Sequence, residues 1–418
     1  MGAPRSPKLK SRREWYRYYA GYSEGFVADT LDLLAVPVGG TILDPWNGSG
    51  TTTAVAYAKG FSALGLDANP ALVIVAKARV LDNGLLSSIQ PLAKDILVHA
   101  KREGSPSQDT EPLCQWFDAG TSVRVRALET AIRRLFVGDA SVGQPAATLA
   151  TQMSTLAAFY YVAVFEVVRA LANPFKGSNP TWVKVPTIGS ASATWDDLSV
   201  AFEASLRHLS DSLPRSGVAR QLPTVVVGTS TSLPFPSASI DAVLSSPPYC
   251  TRIDYVTATR PELALLGYSR PNEIKSLRDQ MVGTTTMSSS LPLVENGWGP
   301  TAAEFIGDVT GHPSKASSGY YRRYYLQYFD ALARSVDEIV RVAATKSSIA
   351  LVVQDSYYKD IYLDLAAIVS DMMSIRERRV DRRFDFVAHS LAAINPRSRK
   401  YTRSFLATES LLVSSSAS

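Results

Sequence analysis

Thr41-Ile42-Leu43-Asp44-Pro45-Trp46-Asn47-Gly48-Ser49-Gly50-Thr51-Thr52-Thr53 decides the fold of this chain. A short apolar strand runs into a glycine loop, and a helix follows to about Lys59. Strand, glycine loop and helix in that order open a nucleotide-type α/β domain. Gly48 and Gly50 allow positive φ and close backbone approach, so a ligand can lie on the loop. No lysine follows the glycines, which sets aside a phosphate-cradling P-loop, and there is no Gly-x-Gly-x-x-Gly dinucleotide fingerprint. Ser62 to Leu66 reads as a second strand ending at Asp67-Ala68-Asn69-Pro70, with a helix from Pro70 to about Val80. An acidic residue closing such a strand can hold two ribose hydroxyls. Asp67 and Asn69 can equally serve as helix caps, and the two roles are compatible.

Working outward, Val225-Val226-Val227-Gly228-Thr229-Ser230 reads as a third strand and Ile240 to Leu244 as a fourth. The fourth runs into Ser245-Ser246-Pro247-Pro248-Tyr249. Two prolines stop the strand and hold the backbone extended. They cannot donate, so their neighbourhood offers carbonyl acceptors, and the Ser246 hydroxyl can accept as well. Tyr249 adds a flat ring. A rigid set of acceptors beside a stacking ring suits the exocyclic amine of a flipped nucleobase. Pro-Pro-Tyr alone is more often a loop or a WW-domain ligand; its place at the end of an apolar strand, downstream of the glycine loop, reverses that reading. Cys250 comes after the tyrosine rather than directly after a proline, which argues for packing and against a cysteine nucleophile.

These two stretches resemble motifs of the amino-methylating DNA methyltransferases. Asp44 to Thr51 is similar to their Asp-Pro-Phe-x-Gly-Ser-Gly-Thr motif I, with Trp46 in the phenylalanine slot. Ser246-Pro247-Pro248-Tyr249 is similar to their motif IV, whose serine form is most typical of enzymes that methylate cytosine at its N4 amine. The resemblance implies an α/β fold: a Rossmann-like class I methyltransferase sheet with helices on both faces, interrupted by a large, mainly helical insertion. It implies S-adenosylmethionine as cofactor, held at Asp44, Pro45, Trp46, Gly48, Gly50, Thr51, Asp67, Asn69 and Thr229. Asp67 takes the ribose in that scheme, while Thr229 stands where many members carry an acid. Ser246, Pro247, Pro248 and Tyr249 become the catalytic group. Motif I precedes motif IV here, the reverse of many members with this motif I, so the chain looks permuted. The implied substrate is double-stranded DNA with one base flipped out, and the implied partner a cognate restriction endonuclease or other defence-system protein. The acceptor logic serves the N6 amine of adenine equally. An RNA guanine-amine methyltransferase can also carry Pro-Pro-Tyr, and an inactive DNA-binding subunit is the non-enzyme alternative.

The rest of the chain divides around these motifs. Residues 1–23 form a basic, aromatic arm with Lys8, Lys10, Arg12, Arg13 and Arg17 among Tyr16, Tyr18, Tyr19 and Tyr22. It is either solvated or laid along a phosphate backbone. Residues 24–83, 221–258 and 320–418 supply three parts of the core. Residues 84–220 carry helical stretches at 90–102, 122–136, 146–172 and 195–212, far too much for a connection of about 2–6 residues. This insertion either covers the sheet or a dimer partner, or reads the target. Residues 259–319 are rich in loops and face DNA in this scheme. Tyr321 to Val342 reads as a helix, Ser348 to Val353 as a strand, and Tyr362 to Met373 as a helix. Arg382 to Ala388 and Ser404 to Val413 close the sheet as antiparallel strands. Lys176, Lys184, Arg252, Arg382, Arg383, Arg399 and Lys400 are the nucleic-acid-binding candidates, in a C-terminal basic crowd that also holds Arg376, Arg378 and Arg379.

Composition narrows the class. A net charge of +5 on 418 residues points weakly toward an anionic partner. Two cysteines exclude a disulfide framework, and the 4 histidines show no metal-ligand spacing, so no metal site is expected. No run reaches the ~18 apolar residues of a membrane span, and no secretory signal opens the chain. Met1 to Ser6 formally fit the myristoylation pattern, which six residues match too easily by chance. The expectation is a cytoplasmic bacterial or archaeal protein, with its oligomeric state open.

Overall fold

The structure is a computed structural model that describes residues 3–4, 15–16, 21–103, 111–141, 143–175, 183–186, 191–213, 221–251, 254–287, 297–389 and 406–414. The sheet comprises β1 (Thr41–Asp44), β2 (Ser62–Asp67), β3 (Thr224–Val227), β4 (Ile240–Ser245), β5 (Ala343–Gln354), β8 (Arg382–His389) and β9 (Leu406–Ser414). Its order is β3-β2-β1-β4-β5-β9-β8, while β6 (Ser356–Tyr358) and β7 (Ile361–Leu363) form a separate hairpin. Pairings from β3 through β5 are parallel, and β9 runs antiparallel to both β5 and β8. The closing antiparallel strands therefore stand where the sequence places them.

Side chains alternate across this sheet with the period of two that a pleat imposes. Ile42, Ala242, Leu244, Ala350, Val352, Leu411 and Val413 share one core with Phe26, Val27 and Leu31 of α1 (Glu24–Leu34) and Ala56 of α2 (Thr51–Ala58). Leu43, Val243, Ile349, Leu351, Val353 and Leu412 point into a second core on the opposite face. There they meet α11 (Pro300–Gly311), α12 (Arg322–Val342) and α13 (Leu365–Ile375). Both faces are covered, as parallel strands require.

α3 (Pro70–Ala78) is buried at every one of its residues. A helix apolar all round must be wrapped, and this one touches β2 and β3 on one side and α6 (Ala146–Gln152) and α7 (Thr155–Leu171) on the other. The segment read as an insertion thus builds a helical layer over α3, completed by α4 (Leu86–Glu103), α5 (Ala119–Phe136) and α8 (Trp195–Ser212). α9 (Arg260–Leu265) joins the same core, and α10 (Pro271–Asp279) follows it. Lys77 of α3 crosses to this layer, its ammonium donating to the Met153 carbonyl at 3.0 Å and to that of Thr151.

Several sequence expectations are corrected. The helix over 146–172 is two helices, because Met153 is extended and Ser154 caps α7 by accepting from the Ala157 N–H. The helix placed from Tyr362 begins at Leu365 behind an Asp364 cap, since residues 361–363 pair with β6. Trp15 and Tyr16 belong neither to a solvated arm nor to one along phosphates. Both are buried, and the Tyr16 hydroxyl donates to Glu262 Oε1 at 3.0 Å with the Arg169 guanidinium 4.6 Å from its ring centroid.

One buried ionic cluster holds the helical layer to α9. Arg126 meets Glu111 at 2.9 Å and Glu129 at 3.1 Å, and it donates to the Leu265 carbonyl at 2.7 Å. Glu129 also takes Arg133 at 2.6 Å and the Tyr161 hydroxyl at 2.5 Å. Removing one member of such a cluster strands the other charges in low dielectric. Glu129→Ala is therefore expected to cost about 3–5 kcal/mol of unfolding free energy, read from the urea midpoint.

Candidate active site

A cleft opens across the carboxyl ends of β1 to β4, the edge at which open α/β sheets take their ligands. Asp44 and Asp67, closing β1 and β2, put two carboxylates into it. The Asp44 carboxylate is buried and fully engaged: Oδ1 accepts from the Ser245 hydroxyl and, at 3.1 Å, from the Trp46 N–H. Oδ2 lies 3.4 Å from the Tyr22 hydroxyl, which also meets Thr52 Oγ1 at 2.6 Å. Burial raises the Asp44 carboxyl above its ordinary range, and these donors pull it back. Asp67 accepts from the N–H groups of Gly48 at 2.9 Å and Asn69 at 2.8 Å. Burial nonetheless lifts it to about 6, and neighbouring Asp44 pushes the same way.

The glycine loop works by geometry. Gly48 and Gly50 have φ of 49° and 80°. A Cβ on Gly50 would stand 2.6 Å from that of Ala76, so the loop can sit on α3 only with hydrogen there. Asn47 lies directly over Gly65 of β2 and accepts from Thr53 Oγ1 at 3.1 Å. Arg79 steadies the loop from outside, donating to Thr51 Oγ1 at 3.1 Å while pairing with Glu24 at 2.7 Å.

Opposite this loop, the segment Ser246 to Tyr249 is pinned at successive positions. The Ser246 hydroxyl donates to the Val352 carbonyl of β5 at 3.0 Å, leaving its oxygen lone pairs as acceptors. The Pro248 carbonyl accepts from the Tyr328 hydroxyl at 2.8 Å, and the Tyr249 hydroxyl donates to Glu409 Oε1 of β9 at 3.3 Å. Among the described residues nothing donates to the Pro247 carbonyl. Two acceptors therefore lie side by side at the cleft with a half-buried ring next to them.

Of the residues singled out from sequence, Asp44, Pro45, Trp46, Gly48, Thr51, Asp67, Thr229 and the four from Ser246 to Tyr249 line this one cleft. Gly50 acts behind it. Asn69 is a correction: fully buried, it caps α3 by accepting from the Ala71 N–H at 3.0 Å, and its amide donates to Thr259 Oγ1 at 2.7 Å. Both ends of its side chain are spent, so it is not a cleft residue. Thr229 holds Thr231 Oγ1 at 3.0 Å and the Gln280 carbonyl at 3.3 Å. Sequence reading missed Tyr22, Tyr255, Gln280, Met281 and Val282, which complete the lining. Tyr22 had a signal, since it stands just before the helix beside the glycine loop.

The basic candidates are not gathered there. Lys176, Arg252, Arg399 and Lys400 lie outside the described residues. Lys184 is exposed, and its carbonyl takes the Trp116 indole N–H at 3.1 Å. Arg382 and Arg383 lie on the edge strand β8, paired in register with Val413 and Leu412, so that β9 and β5 stand between them and the cleft strand β4. Arg383 is held by Asp385 at 2.8 Å. Arg376 and Arg378 spend their guanidinium groups on main-chain carbonyls, including Met372 at 2.9 Å and Ala344 at 2.8 Å. These two are structural ties rather than a phosphate rim.

Sheet order and the cleft at the carboxyl edge of the strands are those of a Rossmann-like α/β fold. The chain is similar in sequence to the Type II methyltransferase M.BsoBI of Geobacillus stearothermophilus, 24% identical over 314 residues. That alignment takes in 68% of this chain and 58% of the relative, so the chain spans little more than half of the relative's length. No family model matches the chain. Among solved structures, the rRNA methyltransferase aviRa from Streptomyces viridochromogenes aligns over 95% of this chain and 86% of its own, at 9% identity and a TM-score of 0.25. Among the described residues no helix is long and apolar enough to cross a membrane, and no cluster of histidine, cysteine or acidic side chains could hold a metal ion.

The donor set fits S-adenosylmethionine, the cofactor that the two sequence motifs imply. A cationic sulfonium and amino group match a cleft carrying two carboxylates, and a glycine loop without Cβ atoms leaves room for close approach. Two outcomes follow from the geometry. Gly50→Ala should destabilise the loop against α3 and weaken S-adenosylmethionine binding by about tenfold or more, measured by calorimetry. The raised carboxyl of Asp67 means the folded chain holds that proton more tightly than the unfolded chain does. Its contribution to stability should then fall as pH rises from 3.8 to about 6, and Asp67→Asn should flatten that slope in urea titrations run across the interval.

Proposed function

We propose that this chain methylates DNA, transferring the methyl group of S-adenosylmethionine to the N4 amine of a cytosine flipped out of the duplex. The observation that carries the reading is the pair of acceptors at Ser246 and Pro247, fixed beside Tyr249 and facing the acid-lined glycine loop across one cleft.

Cytosine's exocyclic nitrogen is a poor nucleophile because its lone pair is delocalised into the ring. Acceptors on both N–H bonds favour a pyramidal nitrogen with its lone pair free to point across the cleft. The Ser246 oxygen and the Pro247 carbonyl take those two bonds, and Tyr249 stacks on the extruded base, a contact worth ~1–3 kcal/mol. Bound S-adenosylmethionine supplies an electrophilic methyl on a positively charged sulfur. Asp67 accepts from the ribose hydroxyls, for which each of its oxygens retains a lone pair beyond the N–H it already takes. Asp44, the loop from Pro45 to Thr51 and Thr229 line the same cleft and would hold the rest of the cofactor. Positioning by these residues would supply most of the catalysis, the N–C bond forming as the C–S bond breaks, and the amine proton would leave to solvent.

The helical layer between β2 and β3 is the candidate target-reading segment, and a cognate restriction endonuclease is the partner that the motif resemblance implies. The N6 amine of adenine would be served by the same acceptors. The test is nucleoside mass spectrometry of DNA from cells expressing the chain, against a Pro247→Ala/Tyr249→Ala control. N4-methylcytosine appearing only with the intact protein is the expected result; N6-methyladenine would change the base and keep the mechanism, and unmodified DNA would overturn the reading. With purified protein, Ser246→Ala should lower the transfer rate by ~100-fold while the Kd for S-adenosylmethionine stays within about threefold.

A further inference from the structure

Glu409 is a buried carboxylate on β9 that the site described so far uses only as a neighbour. It is 1% exposed, on a strand whose adjacent Leu411, Leu412 and Val413 are the apolar residues such a position ordinarily carries. Placing an ion there costs several kcal/mol unless it is bonded, and one of its bonds goes to the Tyr249 hydroxyl, 3.3 Å from Oε1.

The placement follows from register. Glu409 pairs with Gln354 at the carboxyl end of β5, two residues beyond Val352, whose carbonyl takes the Ser246 hydroxyl. One antiparallel strand pair therefore anchors both ends of the Ser246–Tyr249 segment. The middle is held from another direction, by Tyr328 on the Pro248 carbonyl. Rotation about Cα–Cβ swings the hydroxyl end of a tyrosine ring, so tethering that end fixes the direction of the ring's long axis.

We infer that Glu409 is a positioning residue: by accepting a hydrogen bond from the Tyr249 hydroxyl, it holds in place, by its far end, the ring on which the target base stacks. This rests on the reading of Ser246 to Tyr249 as the base-binding segment. Glu409 itself touches no reacting atom, and the hydroxyl keeps its proton throughout.

The experiment is a double-mutant cycle with the full chain, following methyl-tritium transfer from S-adenosylmethionine to unmodified genomic DNA. Tyr249→Phe and Glu409→Leu should each lower kcat by roughly tenfold, as loss of a hydrogen bond to a charged group does. The double variant should lose no more than either single one, because both remove the same bond. Glu409→Gln, which keeps an acceptor oxygen, should remain within about threefold of the parent chain. Losses that multiply in the double variant would overturn the inference, as would a Tyr249→Phe variant at full rate. So would a Glu409→Leu loss matched by equal losses in Tm and in S-adenosylmethionine affinity, which would mark a merely structural role. A second readout stands apart from activity: 3-fluorotyrosine at position 249 should show a shifted fluorine resonance in Glu409→Gln. A shifted resonance in a chain that methylates no DNA would leave the contact standing and sink the functional reading; an unmoved resonance would sink the inference alone.

Discussion

The Asp44 carboxylate is the constraint on which the rest of this molecule turns. It is buried at the end of β1, and it bonds the hydroxyl of Ser245, 201 residues away in sequence, at the end of β4. Desolvating a carboxylate is unfavourable by several kcal/mol, and the donors that offset this come from three places: the neighbouring strand, the loop's own Trp46 N–H, and Tyr22 ahead of α1. The glycine loop and the Ser246–Tyr249 segment are thereby locked edge to edge. Group transfer between two ligands is acutely sensitive to such spacing, a displacement of about 1 Å being enough to lose on the order of a hundredfold in rate. A tie between adjacent strands controls that spacing far better than two loops could.

Charge elsewhere is spent on architecture. Arg126, Glu111, Glu129 and Arg133 sit inside the helical layer, and Arg376 and Arg378 close carbonyls at the ends of α13 and near β5. These arginines are engaged within the fold rather than presented to a polyanion. The cleft itself is acidic, suited to a cation, while a nucleic acid backbone would have to approach from outside it.

Much of the fold was legible because its signals are local. A positive-φ glycine pair after a short apolar strand, an acid closing the next strand, and two prolines stopping a third all carry their consequences within a few residues. What escaped depends on partners distant in sequence. Asn69 looked like a ligand because nothing nearby shows that Thr259 takes its amide. The apolar run over 146–172 gives no hint that Ser154 will cap a new helix rather than ride on an old one. Ile361 to Leu363 resemble the helix that follows them until β6 pairs with them. Arginines crowding one end of the chain cannot be sorted into free and occupied until their carbonyl partners are in place. Tyr22 is the instructive miss: it read as part of a charged arm, yet its hydroxyl closes the Asp44 network.

The helical layer also dictates an order of assembly. Leu64 to Asp67 pair with Thr224 to Val227, so β3 reaches its place beside β2 only after everything between them has been made. The main-chain N–H of Val227 is received by the hydroxyl of Thr151, at the end of α6, at 3.1 Å. β3 thus docks against a helix that is itself seated on α3. Closing so long a loop is entropically slow, and the compensating contacts arrive late. As the chain leaves the ribosome, the glycine loop emerges early but waits for β4 before a ligand site exists at all. A molecule bound across β1 to β4 therefore cannot nucleate folding; it can only bias the finished sheet against reopening.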